Sequence, residues 1–147
     1  MTAPAAVDIL LVEDSPADVE LTLRSLQHVK LANPIATVND GAEALEFLLG
    51  TGAYAGRAGA APPKVIFLDL KLPKVSGLEV LERLKSDPRT REIPVVVLTS
   101  SAEEPDIKAS YRLGANSYLV KPVDFEKFVE SVSHAGLYWL LLNKPPR

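Results

Sequence analysis

The sequence predicts an α/β domain in which five strand–helix units wrap a parallel sheet, and three observations carry that expectation. Short apolar or β-branched runs alternate with longer stretches of helical period from Asp8 onward. Most of the runs are too uniformly apolar to leave one face wet, as befits strands buried between helix layers. Polar residues of unusual chemistry stand immediately after several of them, at the positions where such sheets bind ligands.

The first run is Ile9–Val12, and Pro16, just after Asp14 and Ser15, suits the first turn of a helix capped by one of those two residues. Ile35–Val38 is the second strand, with a helix expected from near Gly41. Residues 50–64, rich in Gly, Ala and Pro, form a connection longer than is usual in this class. They read as a surface insertion, either a partner-docking loop or a tolerated extension. The second is favoured because lengthening a loop costs little entropy. Val65–Leu68 is the third strand, with a helix from near Gly77; residues 95–98 are the fourth, with a helix from near Glu103; Ser117–Val120 is the fifth, with a helix from near Phe125.

Bulk composition narrows the function. A chain of 147 residues, 47% hydrophobic and 24% charged, is the size of one globular domain with a single core. Its net charge of −3 comes with Lys and Arg interspersed among Asp and Glu, which argues against a nucleic-acid-binding face. Without cysteine it has neither disulfides nor thiolate metal ligands, and a cytoplasmic location is the simplest expectation. No segment has the run of about 18 apolar residues expected of a membrane span.

Glu13 and Asp14 follow the first strand, Asp69 the third, Thr99 the fourth, and Lys121 with Pro122 the fifth. Three carboxylates, a hydroxyl and an amine are thus delivered to one edge. Three clustered carboxylates at neutral pH require either raised pKa values or a cation between them; the cation is the more economical account, and Mg²⁺ suits one or two carboxylates with positions left for phosphate oxygens. Asp69 would be the nucleophile toward phosphorus, with Lys121 and Thr99 stabilising the charge that arrives. Taken singly, each residue has a plainer reading. Glu13 and Asp14 suit a helix N-terminus, Thr99 ends a strand, Lys121 is a solvated charge and Asp69 a turn residue. Their joint placement favours chemistry. His28 and His134 are isolated and lack metal-ligand spacing.

At these residues the chain resembles the receiver domains of two-component response regulators. ILLVEDSP, VIFLDLKLPKVSGLEVL, VVVLTSS and YLVKP carry the resemblance, which runs over residues 8–132. It implies a flavodoxin-like doubly wound (βα)5 fold with strand order 2-1-3-4-5. It further implies that Asp69 accepts a phosphoryl group from a sensor histidine kinase. Glu13, Asp14 and Asp69 would bind Mg²⁺ with the backbone carbonyl of Lys71, while Thr99 and Tyr118 would form a switch beside Lys121. The Lys121–Pro122 peptide would be cis. Lys71 and Ser101, each two residues beyond a key position, would overlook the phosphoryl group and affect water access. Pro73 and Gly77 fit the tight connection after Asp69, with Gly77 allowing conformations closed to other residues.

The insertion, the segment SYRLGANSYLVKPVDFEKF and the late YWLLL are similar to regulators associated with phytochrome-type kinases, which implies a bacteriophytochrome as phosphodonor. A flagellar-motor-type regulator is the alternative. Residues 1–147 read as one receiver domain with an apolar extension at residues 137–147, whose leucines and aromatics suit either a tail folded over the monomer's own core or, the favoured reading, a homodimer formed with the face of the fourth and fifth helices. An aspartyl-phosphate phosphatase of the dehalogenase type would need a second acid near the nucleophile, where Lys71 stands, and a substrate cap. A flavin carrier would need a phosphate loop where Glu13 and Asp14 would repel phosphate. The chain is therefore expected to be a phosphoacceptor and not an enzyme acting on a separate substrate.

Overall fold

The computed structural model describes residues 7–28, 34–121 and 126. The elements in chain order are β1 (Ile9–Val12), α1 (Pro16–His28), β2 (Ile35–Val38), α2 (Gly41–Leu49), a 3-10 helix (Gly52–Arg57), β3 (Val65–Leu68), α3 (Gly77–Ser86), β4 (Val95–Thr99), α4 (Glu104–Arg112) and β5 (Ser117–Val120). The five strands form one parallel sheet in the order β2-β1-β3-β4-β5. The expected helix near Phe125, His134, the Lys121–Pro122 peptide and the apolar stretch from residue 137 lie outside the described residues.

The central strands are buried throughout, as their unbroken apolar runs require. On one face Leu10, Val12, Ile66, Leu68, Val95 and Val97 pack with Leu45 and Phe47 of α2 and Val80, Leu81 and Leu84 of α3. The alternate residues Ile9, Leu11, Val65, Phe67, Val96 and Leu98 are buried as well, so both faces of the sheet are covered. The edge strands β2 and β5 are only partly buried, with Val120 exposed at the end of β5.

Short polar side chains start α1, α2 and α3. Ser15 Oγ accepts from the Asp18 N–H, Asp40 Oδ1 from the Glu43 N–H at 2.7 Å, and Ser76 Oγ from the Glu79 N–H. Of the two candidate caps before Pro16, Ser15 is the one that serves. Helix α2 ends on Gly50 at φ 66°, a left-handed C-cap whose N–H returns to the Glu46 carbonyl.

The segment expected as a plain insertion is partly ordered against α2. Its 3-10 helix brings Tyr54 edge-on to Phe47, centroids 5.1 Å apart, and sets the Tyr54 hydroxyl on Glu43 Oε2 at 2.8 Å. The Arg57 guanidinium lies 4.0 Å above the same phenylalanine ring.

The connection from β3 to α3 is held tightly. A Cβ on Gly77 would stand 2.1 Å from the Asp69 carbonyl oxygen, and one on Gly41 would stand 1.9 Å from that of Val75. Both glycines are therefore required by close approach. This corrects the conformational reason expected for Gly77, which is absent from the positive-φ residues; the left-handed residue in this connection is Lys74, at φ 67°.

Candidate functional site

Parallel pairing in one register brings the strand ends together. The Glu13 N–H donates to the Val38 carbonyl, Asp69 N–H to Val12 and Lys121 N–H to Thr99, so each residue after a strand is pinned by its neighbour's backbone. The carboxylates of Glu13, Asp14 and Asp69 each offer an oxygen within 4.8 Å of the others. That span is close to the width of a six-coordinate shell, about 4.2 Å across for Mg²⁺ and about 4.8 Å for Ca²⁺. Glu13 and Asp69 are buried and Asp14 is exposed, an arrangement that suits a divalent ion keeping some of its water.

Lys121, only 12% exposed in its side chain, reaches across the edge. Its Nζ donates to Glu13 Oε1, to Asp69 Oδ2 at 3.1 Å and to Asp18 Oδ2 at 3.1 Å. Burial alone would lower its pKa, but the three carboxylates outweigh that and hold the ammonium charged. Burial likewise pushes Asp69 up; the Thr99 hydroxyl, the Lys71 N–H at 3.2 Å and Lys121 together overcome it and keep this carboxyl below its ordinary value. Glu13 goes the other way. Its burial, with the neighbouring Asp69 charge, pushes it up to about 7 in spite of Lys121.

Thr99 is fully buried at the end of β4, and its Oγ1 accepts from the Ser101 N–H at 3.4 Å. Tyr118 on β5 packs against the core and donates its hydroxyl to the Ser101 carbonyl at 2.8 Å. Ser101 itself is buried, and its hydroxyl donates to Asp106 on α4. The Lys71 side chain is exposed, and its backbone N–H is aimed at Asp69.

Glu13, Asp14, Asp69, Thr99 and Lys121, singled out at the strand ends, thus meet in one place; Pro122 lies outside the described residues. Asp18 was missed: it lies in the first turn of α1 and not at one of the strand ends to which the sequence pointed. Asp106 was also missed, and nothing in its local sequence distinguishes it from an ordinary first-turn acid. Among the described residues, no helix is long and apolar enough to cross a membrane.

The family profile described as response regulator receiver domain matches residues 9–133. Among curated proteins the chain is 41% identical over 139 residues to the probable methanogenesis regulatory protein FilR2 of Methanothrix harundinacea, covering 94% of this chain and 86% of that one. It is 40% identical over 132 residues to response regulator Rcp1 of Synechocystis, covering 90% and 88%. Among solved structures, the bacteriophytochrome response regulator RtBRR superposes with a TM-score of 0.83 at 51% identity, covering 96% of this chain and 85% of that one. The Mn²⁺-bound form of Rcp1 superposes with a TM-score of 0.76 at 39% identity, covering 95% and 98%.

Proposed function

Since the chain belongs to the response regulator receiver family, we propose that it signals by taking a phosphoryl group from a histidine kinase onto Asp69. One observation carries the assignment: Asp69 is kept ionised in a largely buried site by Thr99, the Lys71 N–H and Lys121, next to two further carboxylates. An Asp69 oxygen attacks phosphorus as the bond from phosphorus to the kinase's imidazole nitrogen breaks. The electron pair leaves with the imidazole. Thr99 and Lys121 then donate to the phosphoryl oxygens, which gather charge as the group arrives.

Mg²⁺ is the metal we propose, and Glu13, Asp14, Asp69 and the Lys71 carbonyl would hold it; it would supply neutralising charge at the oxygens of the group in transfer. Thr99 turning toward the phosphoryl group would free its neighbour Ser101, and with it the Tyr118 hydroxyl that bonds the Ser101 carbonyl. The outcome is a shift between two populated arrangements of the β4–α4 connection.

Similarity to RtBRR supports a bacteriophytochrome kinase as the donor. The apolar sequence from residue 137 supports a homodimer through that stretch and the face of the fourth and fifth helices. The chain acts as a phosphoacceptor, and turnover is confined to its own phosphorylation and dephosphorylation.

The test is intact mass after incubation with acetyl phosphate, with and without Mg²⁺, for the native chain and Asp69→Asn. A Mg²⁺-dependent gain of one phosphoryl group, absent in Asp69→Asn, is the expected result. Labelling that survives in Asp69→Asn would move the acceptor elsewhere.

A further inference from the structure

Lys121 has three N–H donors, and three carboxylates take them: Glu13, Asp69 and Asp18. Two of these belong to the trio able to hold a divalent ion, whereas Asp18 does not. When a metal draws on Glu13 and Asp69, Asp18 is the partner left on the ammonium. Its side chain is 36% exposed, and the capping bond at that position uses its backbone N–H and Ser15 Oγ. The carboxylate thus has no part in the capping bond, and its local role in α1 is limited to the favourable sign of an acid in the first turn.

We infer that Asp18 is a positioning residue that holds Lys121 back from the phosphoryl group and so slows phosphoryl acceptance at Asp69. This rests on the phosphoacceptor reading above. Two effects of Asp18 act in the same direction. A dianionic phosphoryl group must take a donor from an ammonium already shared with Asp18, and the Asp18 charge repels the dianion as it approaches. A third effect has the opposite sign. With Asp18 neutral, Lys121 pairs more strongly with Glu13 and Asp69 and competes harder with the metal for them.

Asp18→Asn isolates the charge, because the amide oxygen can still accept from Lys121 while the negative charge is gone. Initial rates of phosphorylation by acetyl phosphate, followed by intact mass over a Mg²⁺ titration, give both readouts. At saturating Mg²⁺ the rate of Asp18→Asn is expected to rise about five-fold, and its half-saturating Mg²⁺ concentration to rise about three-fold. Loss of fold would not accelerate the reaction. Asp18→Ala should shift both quantities in the same directions, since the charge and not the tether is what matters. An unchanged or slower rate in Asp18→Asn would overturn the inference, as would a slower rate in Asp18→Ala, which would make Asp18 a tether that helps the reaction. Failure of the native chain to be labelled at all would remove the phosphoacceptor reading and the inference together.

Discussion

Ser101 Oγ lies 2.5 Å from Asp106 Oδ2, which ties the connection after β4 to the first turn of α4. The same serine takes the Tyr118 hydroxyl on its carbonyl and gives its N–H to Thr99. Three elements therefore converge on one small residue. Ser101→Ala removes the hydroxyl's bond to Asp106 and the bond it accepts from the Glu103 N–H, both at the start of α4, at a cost of about 1–2 kcal/mol. Amide exchange over the first turn of α4 should quicken in this variant while β4 remains protected. Exchange matching the native chain would mean that the helix is held by other contacts.

Glu13 makes the metal-free chain pH-sensitive. Its folded pKa is about 7 against an ordinary 4.5, so the folded state prefers it protonated. Its contribution is therefore most favourable below 4.5 and is lost as pH rises through 7. Glu13→Gln removes that penalty. In EDTA the variant should gain stability over the native chain between pH 4.5 and 8, by on the order of 2 kcal/mol. Mg²⁺ should shrink the gap, and denaturant midpoints across that range, with and without the ion, give the check.

Asp40 works in the opposite sense. The Glu43 N–H, followed by Lys74, holds its pKa below the ordinary 3.8, so its stabilisation is present above that value and is lost as pH falls below it. Asp40→Ala should cost about 1 kcal/mol at pH 7. The gap should narrow in urea titrations at pH 3. Asp40→Asn keeps an acceptor for the Glu43 N–H and should lose less.

Gly77→Ala tests the crowding beside Asp69. The added methyl would meet the Asp69 carbonyl oxygen at 2.1 Å and Leu70 Cα at 2.5 Å, and both are backbone atoms that cannot swing aside. A loss of about 3 kcal/mol or more is expected, with slower labelling of Asp69 by acetyl phosphate. A variant as stable as the native chain would show that this connection yields more easily than its contacts imply.

The strands and the chemistry at their ends were legible in the sequence for one physical reason. A strand buried on both faces must be apolar throughout, so Ile9–Val12 and Val65–Leu68 stand out, and the polar residue after each is conspicuous. Asp18 was not legible because its place at the site depends on how α1 leans over the sheet, which no local pattern encodes. Residues 50–64 read as a loop because Gly, Ala and Pro dominate the composition, whereas the order there comes from Tyr54 and Arg57 meeting Phe47. Lys74 at positive φ was invisible for a similar reason. Lysine gives no sign of a left-handed backbone, and its Nζ, 3.4 Å from Asp40 Oδ2, is a tertiary contact.

The two glycines that begin α2 and α3 have a mechanical consequence. Gly41 abuts the Val75 carbonyl and Gly77 abuts that of Asp69, so the β3–α3 connection is gripped from both sides without a methyl group to spare. The opposite wall of the site, from Thr99 through Ser101 to Asp106, is held by side-chain hydroxyls that can rotate and exchange partners. The site thus has one rigid wall and one compliant wall, as a vice has a fixed jaw and a sliding one. Force applied between them by a newly attached group would be absorbed almost wholly by the sliding side, giving the displacement a single direction.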